Sequence, residues 1–210
     1  GAEIDFADLR GSGNTVAVTG EGGGFRSFLR FLDGGPGSDD LRVSDRALVL
    51  TADLDGGAND VEVTGTGSFL ATLTTFDGND TVRFVDGGAG ETAYVGGGRN
   101  TVALVGQGPG DTGTFLASVF AGENEDDLTV SAGAALEMAL LGGGNDTVSI
   151  LEGGYLGALE TTSGSNNISV WNAFLGVYSA YGAEGRDVLS AEGESQIGAV
   201  WLGADDDMAT

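Results

Sequence analysis

The 210 residues carry 32 acids against 8 cations, a net charge of −24, with 40 Gly, 2 Pro and neither Cys nor His. That acidity repels nucleic acid and anionic lipid and attracts divalent cations or basic partners. The missing Cys removes disulfide and thiol chemistry, and the missing His removes the commonest general base and transition-metal ligand.

No apolar run approaches the roughly 20 residues of a membrane span, so membrane insertion is not expected. A hydrophobic fraction of 40% is too high for a disordered Gly-rich tail. The chain opens on Gly without a signal peptide. The expectation is a processed or excised form, secreted or held at a cell surface, whose export signal lies elsewhere.

In chain order, one short pattern returns: a Gly-rich stretch, Asn or Asp, one more residue, then aliphatic-x-aliphatic. Its clearest copies are GSGNTVAV, GGANDVEV, DGNDTVRF, GGGRNTVAL, GGGNDTVSI and GSNNISV. The first aliphatic residues are Val16, Leu41, Val61, Val82, Val102, Leu128, Val148, Ile168, Val188 and Met208. The base step between them is about 20 residues, the lower end of the repeat periods that solenoids use. Two insertions fall near 19–27 and 105–114. A second apolar residue follows two positions on, as in Val18, Val43, Val63 and Phe84, which is the period of a strand with one buried face.

Each unit holds a second patterned run. Its expected inward column is Ala52, Leu73, Ala93, Val119, Ala139, Leu159, Ser179 and Ala199. A neighbouring column is Leu54, Thr75, Val95, Ala121, Leu141, Thr161, Tyr181 and Trp201. AGAALEMALL (132–141) has helical propensity, but the register of the other units makes it a strand. An outward Thr column (Thr51, Thr72, Thr92, Ser118) continues as Met138, Ala158 and Tyr178, too irregular for an ice-binding array. An outward apolar patch is expected from Leu70, Leu116, Phe120, Leu136, Met138, Leu140, Leu156 and Tyr178.

A unit this short, with two brief strands, cannot bury its own apolar face, but stacked units can. The predicted fold is therefore a single all-β domain over 1–210, a parallel β-solenoid of about ten coils. The alternative is an antiparallel sandwich with regularly spaced turns.

Two residues before each marker lies a polar column: Asn14, Asp39, Asn59, Asp80, Asn100, Asp126, Asp146, Asn166, Arg186 and Asp206. Beside it runs a second column that includes Asp40, Asp60, Asp127, Asp187 and Asp207. Where Asn and Asp alternate, an Asn amide can donate to an Asp oxygen one coil away, so no metal is required. Where carboxylates stack about 5 Å apart, they raise each other's pKa or take a cation between them. Three clusters are expected: Asp39/Asp40/Asp60, Asp126/Asp127/Asp146 and Asp187/Asp206/Asp207. Ca²⁺ suits carboxylates beside Gly-rich turn carbonyls. Arg186 would place its own cation in the column.

Gly34-Gly35-Pro36-Gly37-Ser38-Asp39-Asp40-Leu41-Arg42 fits G-G-x-G-x-D-x-U-x at every specified position, and residues 142–148 and 78–82 fit in part. This resembles the haemolysin-type (RTX) calcium-binding nonapeptide of parallel β-rolls. The resemblance implies Ca²⁺ held between coils by Asp39, Asp80, Asp126, Asp146 and Asp206 with turn carbonyls. The pattern departs from that family in having only one such turn per coil, with Asn replacing Asp in four units.

No acidic constellation stands outside the repeat register. The expected function is therefore non-catalytic: a secreted structural or adhesive solenoid of a bacterial surface layer, matrix or filament. Its expected partners are neighbouring solenoid segments, further copies, a cell surface or a polysaccharide. The alternatives are an RTX-like calcium-binding module of a larger secreted enzyme, toxin or adhesin, and an acidic β-helix carbohydrate-active enzyme.

Overall fold

A computed structural model describes residues 2–20, 26–108, 110–111, 113–180 and 185–210. The strands of the first half are β1 (Glu3–Asp8), β2 (Thr15–Thr19), β3 (Phe28–Asp33), β4 (Asp40–Ser44), β5 (Leu48–Asp53), β6 (Asp60–Thr64), β7 (Phe69–Thr74), β8 (Thr81–Val85), β9 (Ala89–Tyr94) and β10 (Thr101–Val105). Those of the second half are β11 (Phe115–Phe120), β12 (Asp127–Ser131), β13 (Ala135–Gly143), β14 (Thr147–Leu151), β15 (Tyr155–Ser163), β16 (Asn167–Trp171), β17 (Phe174–Ala180), β18 (Val188–Glu192), β19 (Gln196–Trp201) and β20 (Met208–Ala209).

Odd-numbered strands form one ten-stranded sheet and even-numbered strands the other, every neighbour one coil on and parallel. The fold is thus a β-solenoid in which each coil spans about 20 residues. The segment 132–141 lies largely in β13, so register overrode helical propensity.

The even-numbered strands alternate as expected. In β6, Val61 and Val63 are buried, while Asp60, Glu62 and Thr64 face out. The odd-numbered strands do not alternate throughout. Their ladders skip one residue, such as Ala71 between Leu70 and Thr72 in β7. The chain bends there, and Leu70 and Leu73, three apart, both point inward.

This bend corrects the expected apolar patch. Leu70, Leu116, Leu136, Leu156 and Tyr178 are core residues, not surface ones. Only Phe120, Met138 and Leu140 of that set face out.

A second correction concerns phase. Leu159 pairs with Tyr178, and Tyr178 with Val200. The inward column therefore ends in Tyr178 and Val200 instead of Ser179 and Ala199. Trp201 points out, and Leu202 packs on the core in its place. Val177 takes the place given to Tyr178 in the outward Thr column. Tyr181 lies outside the described residues, as do parts of both insertions. In the second insertion, Asp111 accepts from the Gln107 and Gly113 N–H groups and the Thr114 hydroxyl at 3.1, 2.9 and 2.8 Å.

Candidate functional site

The turn entering each even-numbered strand places one Asn or Asp at the corner of the coil, buried from Asp39 to Asp187 and partly buried at Asn14 and Asp207. The backbone N–H of each such residue donates to Oδ1 of its counterpart one coil on. Asn14 donates to Asp39 at 2.7 Å, Asp39 to Asn59 at 2.9 Å, Asn59 to Asp80 at 2.8 Å and Asp80 to Asn100 at 3.1 Å. Asn100 donates to Asp126 at 2.9 Å, Asp126 to Asp146 at 3.0 Å and Asp146 to Asn166 at 3.0 Å. Asn166 donates to Asp187 and Asp187 to Asp207, each at 2.9 Å. The result is an unbroken line of backbone donors and side-chain acceptors along one edge. It satisfies buried N–H groups that the sheet ladders do not reach.

Asn and Asp serve equally as acceptors here, and they differ in the second atom of the head group. In Asn100, Nδ2 donates to the carbonyls of Gly96 and Gly98 at 3.4 and 3.3 Å, within its own turn. Asn59 does the same to Asp55 and Gly57 at 3.5 and 3.3 Å. The coil-to-coil amide bridge expected from alternation occurs from Asn14 to Asp39 and from Asn166 to Asp187.

In an Asp coil the atom at that place is an acceptor, and it has nothing to accept. Oδ2 of Asp39, Asp80, Asp126 and Asp146 is buried without a hydrogen-bond partner. These residues are 3%, 1%, 4% and 1% exposed, so bulk solvent does not reach them. Asp187 escapes this because the Tyr178 hydroxyl donates to its Oδ2 at 3.1 Å.

Burial raises the affected carboxyls. Asp126 is pushed up to about 6 by desolvation, against its hydrogen bonds from Asn100 and with added repulsion from Asp127. Asp146 reaches about 7 by desolvation, reinforced by Asp126, Asp127 and Glu125. Asp80 is raised by burial against the pull of the Asn59 N–H.

The second expected column faces outward and meets arginine. Arg42 lies 3.2 Å from Asp40, 3.6 Å from Asp60 and 3.6 Å from Glu62, which also pairs with Arg83. Arg99 holds Asp127 at 3.1 Å. The expected clusters therefore divide. Asp39 is internal while Asp40 and Asp60 are external. Asp126 and Asp146 stack internally while Asp127 is external.

The third cluster is re-registered. Asn167 pairs with Val188, which puts Asp187 above Asn166 and Asp207 above Asp187. One extra residue precedes Asp187, so Arg186 stands outside the column and Asp206 is exposed. Among the described residues, no three acids gather in a group that could hold a metal ion. What the column offers a cation is one free carboxylate oxygen at each of Asp39, Asp80, Asp126 and Asp146.

Sequence reading missed a further acidic stack, Asp8, Asp33 and Asp53, in register on the outer face of β1, β3 and β5. Arg10 pairs with Asp8 at 2.6 Å. Burial and the neighbours Asp55 and Asp33 raise Asp53 against a hydrogen bond from Asp55. Its spacing matches that of Val16, Leu41 and Val61, which could have revealed the stack. Compared with known protein families, curated proteins and solved structures, the chain matches none.

Proposed function

We propose that this chain is a non-catalytic structural rod of a bacterial surface layer, matrix or filament. The observation that carries the reading is the continuous corner line from Asn14 to Asp207, in which the chemically active side chains are taken up as acceptors between coils. Outward acids Asp40, Asp60 and Asp127 are taken up by Arg42 and Arg99. An acidic glycosidase would need a pair of carboxyls facing a shared substrate cleft, whereas these acids face backbone amides or arginines. The likeness of the turn to RTX repeats is what points to export.

A second reading, calcium stabilisation, is favoured by the orphan Oδ2 atoms of Asp39, Asp80, Asp126 and Asp146. Each could give one carboxylate oxygen to Ca²⁺, with turn carbonyls completing the shell. One charged ligand per site suits weak binding that adds to an already folded rod.

A melt in calcium and in a calcium chelator separates the readings, because a ligand that binds only the folded state raises the midpoint. The structural reading expects a folded rod in chelator and a modest upward shift with calcium. An unfolded chain in chelator would make calcium the organising element and overturn it.

A further inference from the structure

The two outer faces of the rod differ. That of the even-numbered sheet carries the ion pairs of Arg42 and Arg83. That of the odd-numbered sheet is largely apolar through the middle of the rod, where each strand turns its first, third, fourth and sixth residues outward. Tyr94, Tyr155 and Val177 on this face are 45%, 42% and 36% exposed, in coils that have a neighbour on either side.

Bulk alternates along this face. The first outward column runs Phe69, Ala89, Phe115, Ala135 and Tyr155 in register, large and small by turns. The column of third residues runs Ala71, Glu91, Ala117, Glu137 and Gly157, in the opposite phase. A strand with a large first residue therefore has a small third one, and its neighbour has the reverse.

We propose that this face is the interface of a homodimer, the second copy related to the first by a two-fold axis parallel to the strands and midway between β11 and β13. Such an axis sets β11 on β13 and β9 on β15 with like positions opposed. Phe115 then falls on Ala135, Ala117 on Glu137, Tyr155 on Ala89 and Gly157 on Glu91. Each pair is large on small, so the two sheets interdigitate at the usual spacing of about 10 Å. An isologous patch has to be complementary to itself, and the alternating columns supply that complementarity.

Charge and area agree with a second copy. From β7 to β17 the charges on this face are Glu91, Glu137 and Glu160, and in this arrangement none of them falls on another acid. Glu160 falls on Tyr94, whose hydroxyl can donate to it. The Tyr155 hydroxyl lies over Gly157 and meets Glu91 in the same way. The odd-numbered strands from β7 to β17 cover about 29 Å by about 20 Å, roughly 1,200 Å² over two copies, where stable interfaces begin. A sugar is a poorer occupant, because Tyr94 stacks on Phe120 at 5.0 Å and Tyr155 on Phe174 at 5.1 Å, which covers ring faces and leaves edges outward.

Two measurements on the 210-residue chain test this. Light scattering across a concentration series is done in about 1 M salt, which screens the repulsion between two chains of net charge −24. The mass is expected to level off at twice 21.0 kDa, because an isologous contact closes at two copies. Register is read by cross-linking, since the chain has no Cys of its own. Thr72 and Ser118 share one outward column, the second beside the axis and the first remote from it. Across the interface a residue at position 118 lies about 8 Å from its own copy, and one at position 72 about 25 Å.

With a short bismaleimide, Ser118→Cys is expected to give a covalent dimer and Thr72→Cys none, both variants being checked for strand content. A mass of 21.0 kDa at all concentrations, or species beyond two copies, would overturn the proposal. So would a folded Ser118→Cys variant without the cross-link, or an equal yield from Thr72→Cys. The proposal rests on the outer face alone, so each of those results leaves the structural-rod reading to its own melting test.

Discussion

At the scale of the residue, Asn and Asp are interchangeable on one atom of the side chain and opposed on the other. Oδ1 accepts the same N–H in both. Nδ2 of Asn gives the turn carbonyls a donor, as Asn100 shows, whereas Oδ2 of Asp146 gives them nothing. The cost is visible in protonation. Because the folded state holds Asp146 and Asp126 above the ordinary 3.8, at about 7 and about 6, it binds protons that the unfolded chain has released. Their contribution is therefore fully present below about pH 4 and is lost as pH rises to about 7. Urea unfolding in chelator is expected to show stability falling across that window, with a shallower fall in Asp146→Asn. An unchanged slope in that variant would remove Asp146 from the account.

At the scale of the element, the repeat is set by close approach of successive turns. Gly98 has φ of +102°, and a Cβ there would run into the carbonyl of Gly78 one coil back. Gly164 stands in the same relation to Gly144, with φ of +95°. Gly98→Ala is expected to destabilise the fold by about 2 kcal/mol or more, combining left-handed strain with backbone overlap. A denaturation midpoint equal to that of the parent would contradict this.

The same regularity made the fold legible. Val61, Val82 and Val102 recur against a constant turn, and only a solenoid reads that period as contact. The slip near the end was hidden because Val188 and Leu189 are both aliphatic. Arg186-Asp187-Val188 and Asp187-Val188-Leu189 therefore fit the template alike, and only pairing with Asn167 and Ile168 decides between them. The bend at Ala71 was hidden for another reason. An inward pair three apart violates strand alternation, and the energy that favours it is packing against the opposite sheet. The vacant acceptors of the Asp coils depend on side-chain orientation, which no spacing reports.

At the scale of the whole molecule, a thin core is held by two sheets and one corner line. That line runs the length of the rod through nine backbone-to-side-chain hydrogen bonds. The central claim is that this line is structural and needs acceptors, with metal secondary. The most direct measurement is the thermal midpoint, in chelator at neutral pH, of Asp39→Asn/Asp80→Asn/Asp126→Asn/Asp146→Asn beside the parent chain. Each new amide keeps Oδ1 as acceptor and adds a donor for turn carbonyls, at about 1 kcal/mol per hydrogen bond. The variant is expected to keep its strand content and melt roughly 10 °C higher. A variant that melts lower, or that loses the fold, would show that the carboxylates themselves hold the coils together.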